Sequence, residues 1–102
     1  MLARVKYEIE LPDGFDGYAP EVEAKGWLPD VAVTFDGRRC RVTFYDPARL
    51  AQEIEANLSE TGTFFESNVV VVARVTRAQI ESAVATLVRL GRHRAMVSAE
   101  EP

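Results

Sequence analysis

The residues of this sequence that could take part in chemistry are few and far apart. There is one cysteine, Cys40, and one histidine, His93. A zinc site of the common type needs three or four Cys, His or carboxylate ligands, so this pair predicts no metal site. A Ser-His-Asp triad would have to use His93, and no G-x-S-x-G motif is present. We expect Cys40 to be a small buried apolar residue and His93 to lie at a helix end or in a solvated tail.

Carboxylate pairs are the other candidates for catalysis. The DGFDG run at residues 13–17 brings two acids together. It lacks the acidic spacing and final glutamate of an EF-hand, and its acids stand where a nucleotide-binding loop would receive phosphates. Glu21 and Glu23 form a second pair, but a general acid or base needs a fixed position, and we predict a loop here. The sequence therefore predicts no enzyme and no cofactor.

These acids belong to residues 12–30 (PDGFDGYAPEVEAKGWLPD), which we call the acidic segment. It is too long and too broken by Gly and Pro to be a tight turn, and long connections are usually functional or ordered by their own side chains. Its aromatic residues either cover the sheet, which is a structural role, or anchor a partner within a ring of carboxylates. The residues predicted to bind a partner are Asp13, Phe15, Asp16, Tyr18, Glu21, Glu23 and Trp27.

Charge is distributed unevenly along the 102 residues. The net charge of −4 arises in the first thirty, which hold seven acidic and three basic residues. Such a surface attracts a basic protein and repels phosphates, so we expect no nucleic-acid partner. Arg38, Arg39 and Arg41 make a basic spot, and pairing of Arg39 and Arg41 with Glu8 or Glu10 on a neighbouring strand accounts for it.

The location expected from the composition is the cytoplasm. A single cysteine allows no internal disulfide, which favours a reducing compartment. Charged residues alternate through the N-terminal stretch, unlike a signal peptide, and no apolar run is long enough to span a bilayer. We therefore expect no membrane contact.

Hydrophobic alternation predicts the strands that position these residues. It runs from Leu2 to Leu11 and again from Val31 to Phe35. Asp36-Gly37 then predicts a tight hairpin into a third strand, 39–45. A fourth β-branched strand is predicted at 68–75.

Helical spacing begins at Asp46-Pro47, a cap followed by a favoured first residue. The apolar stripe of Leu50, Ile54 and Leu58 predicts a helix that ends at Gly62. A second helix, capped by Thr76, is predicted to end at Gly91. One domain then spans residues 1–91, and residues 92–102 form a polar C-terminal tail that we expect to be frayed.

The resulting fold class is α+β: a two-layer sandwich of order β-β-β-α-β-α, with a four-stranded, mostly antiparallel sheet and two helices on one face. Alternation in the fourth strand leaves Val70 and Val72 on the outer face of the sheet with Tyr45. An exposed apolar patch of this kind suits a partner. One alternative function is therefore a structural or assembly subunit that forms a homodimer through Tyr45, Val70 and Val72.

In size, charge and absence of catalytic groups the chain is similar to the small, acidic, cytoplasmic α+β immunity proteins that bacteria pair with secreted toxins. This resemblance rests on general appearance and on no diagnostic motif. It implies a non-catalytic inhibitor that occludes a basic cleft of its protein partner with the acidic segment. Immunity-type inhibition is our principal hypothesis from the sequence.

Overall fold

The computed structural model describes residues 4–99 and shows an α+β fold, as predicted. The order β-β-β-α-β-α is confirmed, with one additional helix between the first two strands. The elements in chain order are β1 Tyr7–Glu10, α1 Phe15–Lys25, β2 Trp27–Phe35, β3 Arg38–Tyr45, α2 Pro47–Thr61, β4 Val69–Val71, α3 Arg77–Arg89 and a 3₁₀ helix, Arg92–Ala95. The predicted start of the first strand, Leu2, lies outside the described residues.

The four strands form one mixed, mostly antiparallel sheet in the order β1-β2-β3-β4. β1 and β3 flank β2 antiparallel, whereas β4 runs parallel to β3. Parallel neighbours need a crossover connection, which α2 supplies. The predicted hairpin joins β2 to β3, with positive φ at both Asp36 (48°) and Gly37 (86°), as a type I′ turn requires.

The core lies on the face of the sheet that carries alternate residues of β2 and β3. Two helices cover it. α1 contributes Phe15 and Val22, and α3 contributes Ile80 and Val84. The other buried members of this core are Leu28, Val31, Val33, Phe35, Cys40, Val42, Phe44, Val72 and Val75.

Helix α2 differs from the expectation that its apolar stripe would pack on the sheet. It begins and ends as predicted, because the Asp46 carboxylate accepts a hydrogen bond from the Arg49 amide (2.8 Å) and Gly62 ends it at φ 79°. None of its residues is buried, however, and Leu58 is 50% exposed. The helix that covers the core together with α3 is α1.

The predicted outer face of Tyr45, Val70 and Val72 is not exposed, and that prediction was wrong. Val70 pairs with Phe44, so it points to the core side and is half-buried. Val71 then points outward (46% exposed), and Val72, with the same parity as Val70, faces the core and is 8% exposed. Tyr45 is 3% exposed, and its hydroxyl donates to Glu66 Oε1 at 2.7 Å.

Residues 92–99 are docked against the sheet, in contrast to the frayed tail that we expected. The Arg38 guanidinium donates to the carbonyl oxygens of His93 (2.9 Å) and Met96 (2.7 Å). His93 itself is buried rather than solvated. Ser98 forms a bridge opposite Cys40. The rest of the predicted tail, residues 100–102, lies outside the described residues.

Asn68 fills the gap on the edge of β3 between β4 and this docked segment. Its side-chain amide donates to the carbonyls of Arg41 (2.9 Å) and Val97 (2.9 Å), and its Oδ1 accepts from the Val97 amide (2.8 Å). Its own carbonyl accepts from the Thr43 amide (3.0 Å). A side chain thus replaces a peptide unit in the ladder.

Candidate functional site

The acidic segment contains a helix and the start of a strand, so its prediction as a loop was wrong. Gly14 (φ 74°) precedes α1, and Gly26 (φ 69°) ends it and leads directly into β2. The helix is kinked at Tyr18, whose φ of −125° and ψ of 17° are not helical. Gly17 and Pro20 lie inside the helix, where their usual role as helix breakers made a loop the natural prediction.

The three aromatic residues of the segment have different roles. Phe15 is 3% exposed and belongs to the core, so it cannot anchor a partner. Tyr18 is half-buried and meets the Phe15 ring edge-on at a centroid distance of 5.8 Å. Trp27 is also half-buried. The structural interpretation therefore holds for Phe15, whereas Tyr18 and Trp27 remain accessible.

The acids of α1 and the preceding turn also have different roles: one is paired within the chain, and three are free in the part that the structure describes. Asp16 accepts a hydrogen bond from Arg77 at 2.8 Å, which ties α1 to α3 and raises the pKa of the Arg77 guanidinium. Asp13, Glu21 and Glu23 are exposed, and none forms an ion pair with any residue in 4–99. These three carboxylates are the ones available to a partner.

A cleft of about 280 Å³ lies between α1 and the start of β2. We call it the Trp27 cleft; it is lined by Pro12, Tyr18, Glu21, Val22, Lys25, Trp27, Leu28 and Pro29. It brings together three of the predicted binding residues, Tyr18, Glu21 and Trp27. The sequence did not indicate that prolines on both sides of α1 would line the same cleft.

Helix α2 holds Trp27 in place from outside the acidic segment. The Arg49 guanidinium carbon lies 4.8 Å from the Trp27 ring centroid, a cation–π contact. Arg49 also donates to the Lys25 carbonyl (3.2 Å) and to Glu53 Oε2 (2.9 Å). These contacts fix one side of the indole and tie the end of α1 to the first turn of α2.

Gly26 completes this junction. Its carbonyl accepts from the Asp46 amide at 2.9 Å, and a Cβ built on it would overlap the Asp46 carboxylate. Only glycine combines this close approach with a positive φ. The Trp27 cleft therefore stands on a rigid junction of α1, β2 and α2.

Cys40 and His93, the residues first considered for chemistry, are both buried, Cys40 in the core and His93 within the docked C-terminal segment. Burial raises the pKa of the Cys40 thiol, and the Arg38 guanidinium lowers it in part. The His93 ring packs 5.4 Å from Phe35, and no group bonds to its Nδ1 within residues 4–99. The same residues contain no group of three His, Cys, Asp or Glu side chains that could hold a metal ion.

No family model, no curated protein and no solved structure matches this chain. None of the helices in residues 4–99 has the length and apolar character needed to cross a membrane.

Proposed function

We propose that this chain is a non-catalytic protein-binding domain that engages a basic protein through α1 and the Trp27 cleft. The observation that carries the proposal is the juxtaposition of an aromatic cleft with exposed acids on one short helix. Half-buried Trp and Tyr side chains are the usual anchors of interfaces, and surrounding charges steer the partner toward them.

The particular form that we propose is an inhibitor of the immunity-protein type, acting in the cytoplasm. Asp13, Glu21 and Glu23 would approach a basic cleft of the partner while Tyr18 and Trp27 bury apolar area. Two features support this form. The helix presents Glu21 and Glu23 with less conformational entropy to lose than a loop would have. The chain also carries its net charge of −4 on its first thirty residues.

The alternative homodimer through Tyr45, Val70 and Val72 receives no support, because those side chains are buried or half-buried within one chain. We therefore place the proposed interface on α1.

Charge reversal on matched helices tests the proposal. The chain would be used to capture partners from a lysate of the source organism at low and high salt, and association with the captured partner would then be timed. Glu21→Lys with Glu23→Lys should slow association roughly tenfold or more at low salt, because steering depends on long-range charge.

The control reverses two acids on the other exposed helix, Glu55→Lys with Glu60→Lys, and changes the net charge equally. It should slow association much less. Equal slowing by both pairs, or an unchanged rate in the α1 pair while both variants remain folded by circular dichroism, would refute the α1 interface.

A further inference from the structure

We propose that the Trp27 cleft binds an extended, proline-containing segment flanked by Lys or Arg in the protein partner. This inference rests on the proposed function and specifies the ligand chemistry at its centre. It follows from the lining, the free hydrogen-bond donors and the charge of the cleft.

The lining favours flat, rigid ligand groups. Four of the eight lining residues are aromatic rings or prolines, Pro12, Tyr18, Trp27 and Pro29, and Leu28 also lines the cleft. Polyproline II segments dock on grooves of this composition, because their rings pack on aromatic faces and their backbone is already ordered. A volume of about 280 Å³ accommodates one or two such rings.

The donors favour a ligand with unused carbonyl groups. The Tyr18 hydroxyl and the Trp27 indole N–H each have no acceptor within residues 4–99. A polyproline II segment makes no internal hydrogen bonds, so its carbonyls are available to both donors. The carbonyls of a helix are already engaged by its own amides. The cleft therefore matches an extended backbone.

The charge around the cleft favours basic residues next to the proline of the ligand. Glu21 lines the cleft, and Asp13 and Glu23 lie exposed close by in sequence. Within the lining Lys25 balances Glu21, so the surplus negative charge near the cleft comes from Asp13 and Glu23 outside the lining. A Lys or Arg beside the proline would complement this charge.

Trp27 is the only tryptophan in the sequence, so its signals report directly on the cleft. Three synthetic decapeptides serve as probes: a proline-rich peptide with two arginines, the same peptide with every proline changed to alanine, and the same peptide with both arginines changed to glutamate. The first should give a saturable change in Trp27 fluorescence and shift the indole N–H resonance. The other two should bind about tenfold more weakly or worse.

Tyr18→Phe tests the proposed hydrogen bond from the Tyr18 hydroxyl to the peptide, because it removes only that hydroxyl. It should weaken the binding of the proline-rich peptide about threefold to tenfold. Tyr7→Phe, at an exposed tyrosine on β1, is the matched control and should leave the affinity unchanged. Unchanged Trp27 signals at millimolar proline-rich peptide, or equal affinity for the alanine peptide, would overturn the inference.

Failure of this inference and failure of the proposed function give different results. If a basic partner is lost on Glu21→Lys with Glu23→Lys but the proline-rich peptide leaves the Trp27 signals unchanged, the proposed function stands and the ligand assignment falls. If the peptide binds as expected while charge reversal leaves partner association unchanged, the cleft is a peptide site and the acidic interface is refuted.

Discussion

Helices α1 and α2 relate sequence pattern to burial in opposite ways. α2 has the clear apolar stripe, yet none of its residues is buried. α1 contains Gly17 and Pro20 and is kinked at Tyr18, yet it places Phe15 and Val22 in the core. The difference shows that an apolar stripe predicts that a helix forms, and not that the helix is buried in the chain.

The two helices are also specified by interactions of different range. α2 is supported locally, by the Asp46 cap and the Arg49–Glu53 pair one turn apart. α1 is supported by contacts distant in sequence, including the Asp16–Arg77 ion pair and the packing of Phe15 in the core. α1 should therefore depend on the assembled fold more strongly than α2 does.

The strongest test of this difference truncates one apolar side chain in each helix. Phe15→Ala should lower the free energy of unfolding by about 3–5 kcal/mol, because it opens a cavity in the core. Leu58→Ala should lower it by less than about 1 kcal/mol, since Leu58 is half exposed. Urea denaturation monitored by circular dichroism measures both, and similar losses would mean that α2 is buried as well.

The glycines that end the two helices give a second matched pair. Gly26 and Gly62 both have positive φ, but only at Gly26 would a Cβ meet another group, the Asp46 carboxylate. Gly62→Ala should cost about 1–2 kcal/mol from backbone strain alone. Gly26→Ala should cost clearly more than that, because Asp46 must also move. Equal thermal destabilisation of the two variants would show that the α1–α2 junction is not rigid.

The smallest effect concerns Tyr45, which anchors the segment after α2. Its pKa is raised above the ordinary value of 10.0, first by burial, then by the hydrogen bond to Glu66 and the charges of Glu66 and Glu53, with Arg49 opposing. The folded chain therefore keeps a proton that the unfolded chain loses. This contribution to stability is complete below about pH 10 and is lost as the pH rises further.

Tyr45→Phe should remove part of the loss of stability at alkaline pH. At pH 8 it should cost about 0.5–1.5 kcal/mol for the missing hydrogen bond, and above pH 10 the difference from the parent chain should shrink. Part of the alkaline loss should remain, because the Cys40 thiol also has a raised pKa. Urea titrations between pH 8 and pH 11 measure this, and a constant difference across that range would contradict the Tyr45 assignment.

Local signals in the sequence were enough for much of the fold. Alternation and Asp36-Gly37 gave the β2–β3 hairpin, and Asp46 and Gly62 gave the bounds of α2. The predictions that were wrong concerned features that depend on residues distant in sequence. Whether Val70 faces the core depends on its parallel pairing with Phe44, which no local pattern encodes.

The candidate site was only partly predicted, because its assembly also depends on residues distant in sequence. Residue type identified Tyr18, Glu21 and Trp27, which do line one cleft. It also included Phe15, because the sequence does not show which aromatic side chains the core takes up. Pro12 and Pro29 were treated as signs of a loop, and the Arg49 contact with Trp27 joins elements that only the folded chain brings together.

The edge of β3 has a consequence for biosynthesis. Its two ends are paired by separate parts of the chain, β4 and the segment at Ser98, with Asn68 between them. Because a ribosome makes the chain from the N-terminus, β2 and β3 emerge long before residues 97–99. The nascent hairpin therefore presents an open strand edge, a site where other chains could add. Protection of that edge is complete only after residues 97–99 have also been made.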